Sequence, residues 1–109
     1  MLNKSEFYKD KFVIKTEWWL HYPDLPKIKW ARLRIYNDGT ADSCFGEGQK
    51  LFGFENFTFA SYIISEDEYL CFEKMDREDE QEFGIELANI LTPDWKDTAI
   101  QEFEYLGTY

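Results

Sequence analysis

The run Ile28-Lys29-Trp30-Ala31-Arg32-Leu33-Arg34-Ile35-Tyr36, then Asn37-Asp38-Gly39, then Thr40-Ala41-Asp42-Ser43-Cys44-Phe45-Gly46, decides the fold of this chain. Its first part alternates: Ala31, Leu33 and Ile35 fall on one side, Trp30, Arg32, Arg34 and Tyr36 on the other. That is the period of a β-strand with one apolar face. Asn37-Asp38-Gly39 is a turn signal, and the chain returns as a second strand, so the run predicts a β-hairpin. Its register follows from charge. A two-residue Asp38-Gly39 turn places Asp42 and Cys44 beside Ile35 and Leu33 in the core. A three-residue loop with a left-handed Gly39 pairs Tyr36 with Thr40, sends Ala41, Ser43 and Phe45 inward, and sets Asp42 opposite Arg34 outside. An unpaired buried carboxylate is costly and a one-residue slip flips every side chain, so the three-residue loop is expected.

Upstream, Phe12, Ile14, Thr16, Trp18, Leu20 and Tyr22 alternate with Lys15, Glu17, Trp19 and His21, which predicts a strand with the even positions in the core. Tyr22-Pro23-Asp24-Leu25-Pro26 reads as a turn or loop, and Ser5 to Lys11 as a turn or two of helix. Downstream, Lys50 to Phe54 reads as a fourth strand. Asn56 to Ser65 suits either element; Asn56 as N-cap, with Phe57, Ala60, Ser61 and Ile64 on one face, favours a short helix leading into a strand over Glu68–Glu73. Gln81 to Leu91 is evenly split between helix and strand and ends at Pro93, and Ile100 to Leu106 predicts an edge strand. The expectation is an α+β fold, an antiparallel meander sheet with one or two short helices packed on it; an all-β barrel or sandwich is the alternative.

The chain has 109 residues, enough for one domain with a single core, and its 19% aromatic content excludes a disordered acidic tail. The N-terminus is charged from Lys4 and carries no apolar run, and the longest uncharged stretch, Asn56 to Ser65, is half of the roughly 20 residues that span a bilayer. Two cysteines, Cys44 and Cys71, are expected as reduced thiols, so the chain reads as a cytoplasmic protein with no membrane contact. Net charge is −10 and uneven: residues 1–54 carry +2 and residues 55–109 carry −12. No linker separates the halves, so the expectation is one domain with a strongly acidic side that repels nucleic acid.

Three fragments, Tyr36-Asn37-Asp38-Gly39-Thr40-Ala41-Asp42, Ser65-Glu66-Asp67-Glu68-Tyr69 and Leu91-Thr92-Pro93-Asp94-Trp95, resemble small uncharacterised acidic proteins of cyanobacteria. The resemblance implies a bacterial cytoplasmic protein and no particular chemistry.

Catalytic patterns are sparse. His21 is the only histidine, and neither HExxH nor paired CxxC occurs, so no metal and no cofactor is expected. Cys44 and His21 make a nucleophile pair only if their strands are neighbours with both side chains on one face. The clusters Glu66-Asp67-Glu68 and Asp76–Glu80 lack EF-hand spacing and read as a solvated face or the acid-rich start of a helix. The most suggestive constellation is the outer sheet face: with the two long strands paired, Trp19, His21, Trp30, Arg32, Arg34 and Tyr36 leave one side. Two of the three arginines of an acidic chain then stand among aromatic rings, a composition typical of protein-binding hot spots. The expected function is a non-catalytic protein-binding or regulatory module, using this face or the acidic flank to engage a protein partner or a second copy. A small-ligand carrier and an acidic nucleic-acid mimic are the alternatives.

Overall fold

Three strands, β1 (Val13–Asp24), β2 (Lys27–Tyr36) and β3 (Ala41–Phe45), form an antiparallel meander in the computed structural model, which describes residues 6, 8–24, 27–46, 51–93, 95 and 105–108. The β2–β3 hairpin has the register argued from charge, with Ile35 opposite Ala41 and Arg34 opposite Asp42. Its loop has three residues. Tyr36 N–H donates to Thr40 O at 2.9 Å, and Gly39 sits at φ +87°, a conformation that a side chain with a Cβ resists.

The phase of β1 is where the structure departs from the sequence reading. Asp24 faces Lys27, and unbroken pairing from there would align Leu20 with Ala31 and Trp18 with Leu33, the even-inward arrangement expected. Instead a register shift between His21 and Asp24 aligns Trp19 with Ala31, Glu17 with Leu33 and Trp18 with Arg32. One extra residue beside Pro23 therefore exchanges the two faces of the strand; a bulge is also one of the few places where a sheet tolerates proline. A second shift lies between Val13 and Lys15, and Phe12 and Ile14, expected in the core, are 63% and 60% exposed.

The sheet continues through β4 (Leu51–Phe54), α1 (Phe57–Glu66), β5 (Leu70–Cys71), a 3-10 turn over Phe72–Lys74, α2 (Arg77–Phe83), a second 3-10 turn over Leu87–Asn89, and β6 (Tyr105–Thr108). Strand order is β5-β1-β2-β3-β4-β6, antiparallel except for β6, which lies parallel to β4. The sheet is open at β5 and β6, so the architecture is α+β and not a closed barrel. Of the strand expected over Glu68–Glu73 only two residues pair. Lys50 and residues 100–104 of the expected fourth and last strands, and Ser5 and Phe7 of the expected N-terminal helix, lie outside the described residues. No helix among the described residues is long and apolar enough to cross a membrane.

Local chemistry explains α1 and α2. Asn56 Oδ1 accepts from Phe59 N–H at 2.7 Å and starts α1, which buries Ala60 and Ile64. Asp76 caps α2 in a reciprocal box with Asp79, and Gly84 ends it at φ +65°. The acidic cluster thus begins a helix, as its charge favoured, and the evenly split segment 81–91 is the end of that helix followed by a 3-10 turn. Trp19, Ala31, Leu33, Ala41 and Phe54 form one core with Ala60, Ile64 and Cys71. The opposite face carries a second one, in which Cys44 and Leu51 pack with Tyr8 and Trp95.

Candidate binding site

The residues singled out from sequence do not share a face. Trp19, 7% exposed, and His21 lie on the α1 side, whereas Trp30, Arg32, Arg34 and Tyr36 lie on the other. This corrects the expected constellation, and its cause is the bulge at the end of β1. The Trp/Arg face is also not an open surface. Arg32 and Arg34 are 2% and 3% exposed, Tyr36 is buried, and other rings close over them. Tyr8 stands edge-on to Tyr36 at 5.8 Å, Trp95 to Trp18 at 5.0 Å and Phe72 to Trp30 at 5.5 Å. His21 and Cys44 leave opposite faces, so they form no catalytic pair. Cys44, expected to be exposed, is fully buried.

Asp42 does face Arg34, but inside the protein. The guanidinium holds the carboxylate with two bonds, Nε to Oδ1 at 2.9 Å and Nη2 to Oδ2 at 2.6 Å. The phenols of Tyr8 and Tyr36 donate to Oδ2 at 2.7 and 2.6 Å. Burial, then the Asp42 charge, raises both phenols well above the ordinary tyrosine value. Burial by itself would lower Arg34; its bonds to Asp42 more than offset that and keep it charged. The two phenols thereby stay protonated and the guanidinium charged across the neutral range, which suits a structural knot better than proton transfer.

On the α1 side, Glu17 lies buried between the Trp19 indole, donating at 3.2 Å, and the Lys15 ammonium at 3.2 Å; Lys15 also reaches Glu73 at 2.9 Å. Glu17, Cys71 and Glu73 bring one donor atom each within 4.8 Å, the spacing of a metal site. The chemistry points elsewhere. Burial and the neighbouring carboxylates push the Cys71 thiol up, which favours the protonated sulfur, and Lys15 already holds both carboxylates and the Glu73 carboxyl below its usual range. The cluster is an ion-pair network that a metal would have to dismantle.

A different site forms where β1 ends against the α1–β5 loop and α2. Glu68, in the left-handed conformation at φ +67°, turns the chain out of α1, and its carbonyl lies 3.2 Å from His21 Nδ1, which must carry the proton because a carbonyl only accepts. The His21 ring lies 5.4 Å from Tyr69, and Tyr22 stacks on Phe83 at 5.2 Å and 24°. Between these two ring pairs is a cavity of about 410 Å³, also bordered by Glu68, Asp79 and Glu82 and, among the described residues, by no lysine or arginine. Sequence reasoning missed it because its rings come from distant segments; the available signal was that Tyr69 and Phe83 sit inside the acidic stretch. Comparison with protein families, curated proteins and solved structures finds no match to this chain.

Proposed function

We propose that this protein is a non-catalytic binding module that engages a basic partner protein through its acidic flank. One observation carries the reading: between Glu66 and Glu86 the chain places ten carboxylates against two basic residues, and it folds them into the end of α1, the loop after it, the 3-10 turn, α2 and the segment that follows, where most are exposed. Capping accounts for Asp76 and Asp79, and a bond from Leu87 N–H accounts for Glu80. The remaining carboxylates are in excess of what the helix needs. A single-signed surface of this kind speeds encounter with a positive partner and repels nucleic acid and anionic membranes. The packing of Tyr8, Phe72 and Trp95 over the Trp/Arg face further supports the flank as the surface left for docking. Two buried thiols fit a reducing, cytoplasmic setting.

The test compares the parent protein with Glu66→Gln/Glu78→Gln/Glu82→Gln as immobilised baits, followed by titration with the purified partner. Capture of a basic protein by the parent, lost in the variant and weakened by salt, is expected. Equal capture by both baits, or a partner that is itself acidic, overturns the reading.

A further inference from the structure

We propose that the cavity between β1, the α1–β5 loop and α2 is the receptor for a single lysine side chain of that basic partner, a deepening that rests on the acidic flank being the docking surface. The argument is one of chemical complementarity. Aromatic rings present negative π-faces, and here two ring pairs, His21–Tyr69 and Tyr22–Phe83, border one cavity of about 410 Å³. Asp79 and Glu82 line the same space, so a cation entering it is drawn by their negative charge as well. Leu70, 37% exposed, supplies an apolar surface against which the methylene stem of a lysine can lie. The volume falls within the range of ordinary ligand pockets and exceeds what an ammonium group and its stem require.

The geometry also separates lysine from arginine. A guanidinium is recognised best by a carboxylate offering both oxygens to its fork, or by a free ring face on which to lie flat. One oxygen of Asp79 already accepts from Asp76 N–H at 2.9 Å, and Tyr22 and Phe83 are stacked on one another. Single acceptors around a roomy cavity suit a compact ammonium with three rotatable donors.

The experiment is an NMR titration of the intact protein with Nα-acetyl-lysine methylamide, set against the arginine analogue, the Nε-acetylated lysine analogue and tetramethylammonium. Shifts confined to His21, Tyr22, Tyr69, Phe83 and their neighbours are expected, with a dissociation constant on the order of 1 mM. Acetylation should abolish binding. Phe83→Leu, which keeps the apolar volume and removes the π-face, should weaken it by about 5- to 30-fold, and the surface change Glu82→Gln should weaken it without touching the fold. The proposal is overturned if the lysine analogue leaves these resonances unmoved, if the acetylated analogue binds equally, or if both variants bind like the parent. Tighter binding of tetramethylammonium or of the arginine analogue would replace lysine as the occupant and overturn the assignment. A basic partner that binds the parent and Phe83→Leu equally removes the cavity while the flank reading stands; a flank that captures no basic protein removes the function reading itself.

Discussion

Replacing Asp42 by Asn tests the interior ion pair directly. The substitution keeps side-chain size and one acceptor oxygen, but it removes the charge facing Arg34 and turns the other oxygen into a donor. Every partner of this carboxylate is itself a donor: the Arg34 fork, the Tyr8 phenol and the Tyr36 phenol. The variant therefore takes away the carboxylate charge that faces a buried cation and sets an amide NH2 against other donors. Asp42 is 0% and Arg34 3% exposed, so water cannot relieve either defect. Breaking a buried pair in this way costs about 3–5 kcal/mol, a large share of the roughly 5–15 kcal/mol that holds a domain together. Urea unfolding followed by tryptophan fluorescence should show a midpoint lowered by on the order of 2 M, with the slope unchanged. In the background of Arg34→Met the same change should cost less, by about 1.5 kcal/mol or more, because the cation facing Asp42 is already gone. A loss below about 1 kcal/mol in Asp42→Asn, the value of a solvent-exposed pair, would refute the reasoning.

Three further outcomes are expected. Gly39→Val should destabilise by about 1–3 kcal/mol through backbone strain alone, since a Cβ there meets nothing within 4 Å while φ is +87°; a melting temperature within a degree of the parent would contradict the loop. Cys44 and Cys71 should both resist a thiol reagent in the native protein and react on unfolding, because both are buried, and rapid native labelling of Cys44 would count against its place in the second core. Stability should fall as pH rises above about 10. The Tyr8 and Tyr36 phenols are raised by burial and by Asp42, so the folded state keeps protons that the unfolded chain releases. The stabilisation is whole below the unfolded value and is lost above it at about 1.4 kcal/mol per pH unit for each phenol. Alkaline melting curves check this, and a flat profile to higher pH would argue against the buried phenols.

Much of the architecture could be read locally because its causes are local. The Asn37-Asp38-Gly39 loop, the pairing of Arg34 with Asp42, the Asn56 cap and the acid-rich start of α2 each depend on a few adjacent residues whose chemistry allows one arrangement. Which of the two β1 faces meets which β2 face is not of that kind. Alternation divides Trp18 from Trp19 but does not say which one joins Leu33, and a single extra residue between His21 and Asp24 inverted the answer. The burial of Arg32, Arg34 and Asp42 was equally hidden. A strand face bearing two arginines and an aspartate reads as wet until distant rings, Tyr8, Phe72 and Trp95, are seen to cover it.

The sequence by itself determined the period of the strands, the hairpin register, the Asn56 cap and the one-sided charge, because propensity, turn geometry and charge pairing act over a few neighbouring residues. Only the tertiary structure decided which face of β1 turns to α1, that the polar face of β2 and β3 is a second core, and that His21, Tyr22, Tyr69 and Phe83 surround an acidic cavity. These depend on a bulge and on contacts between remote segments, where the free energy of burying a residue is set by what lands on top of it and not by the residue itself.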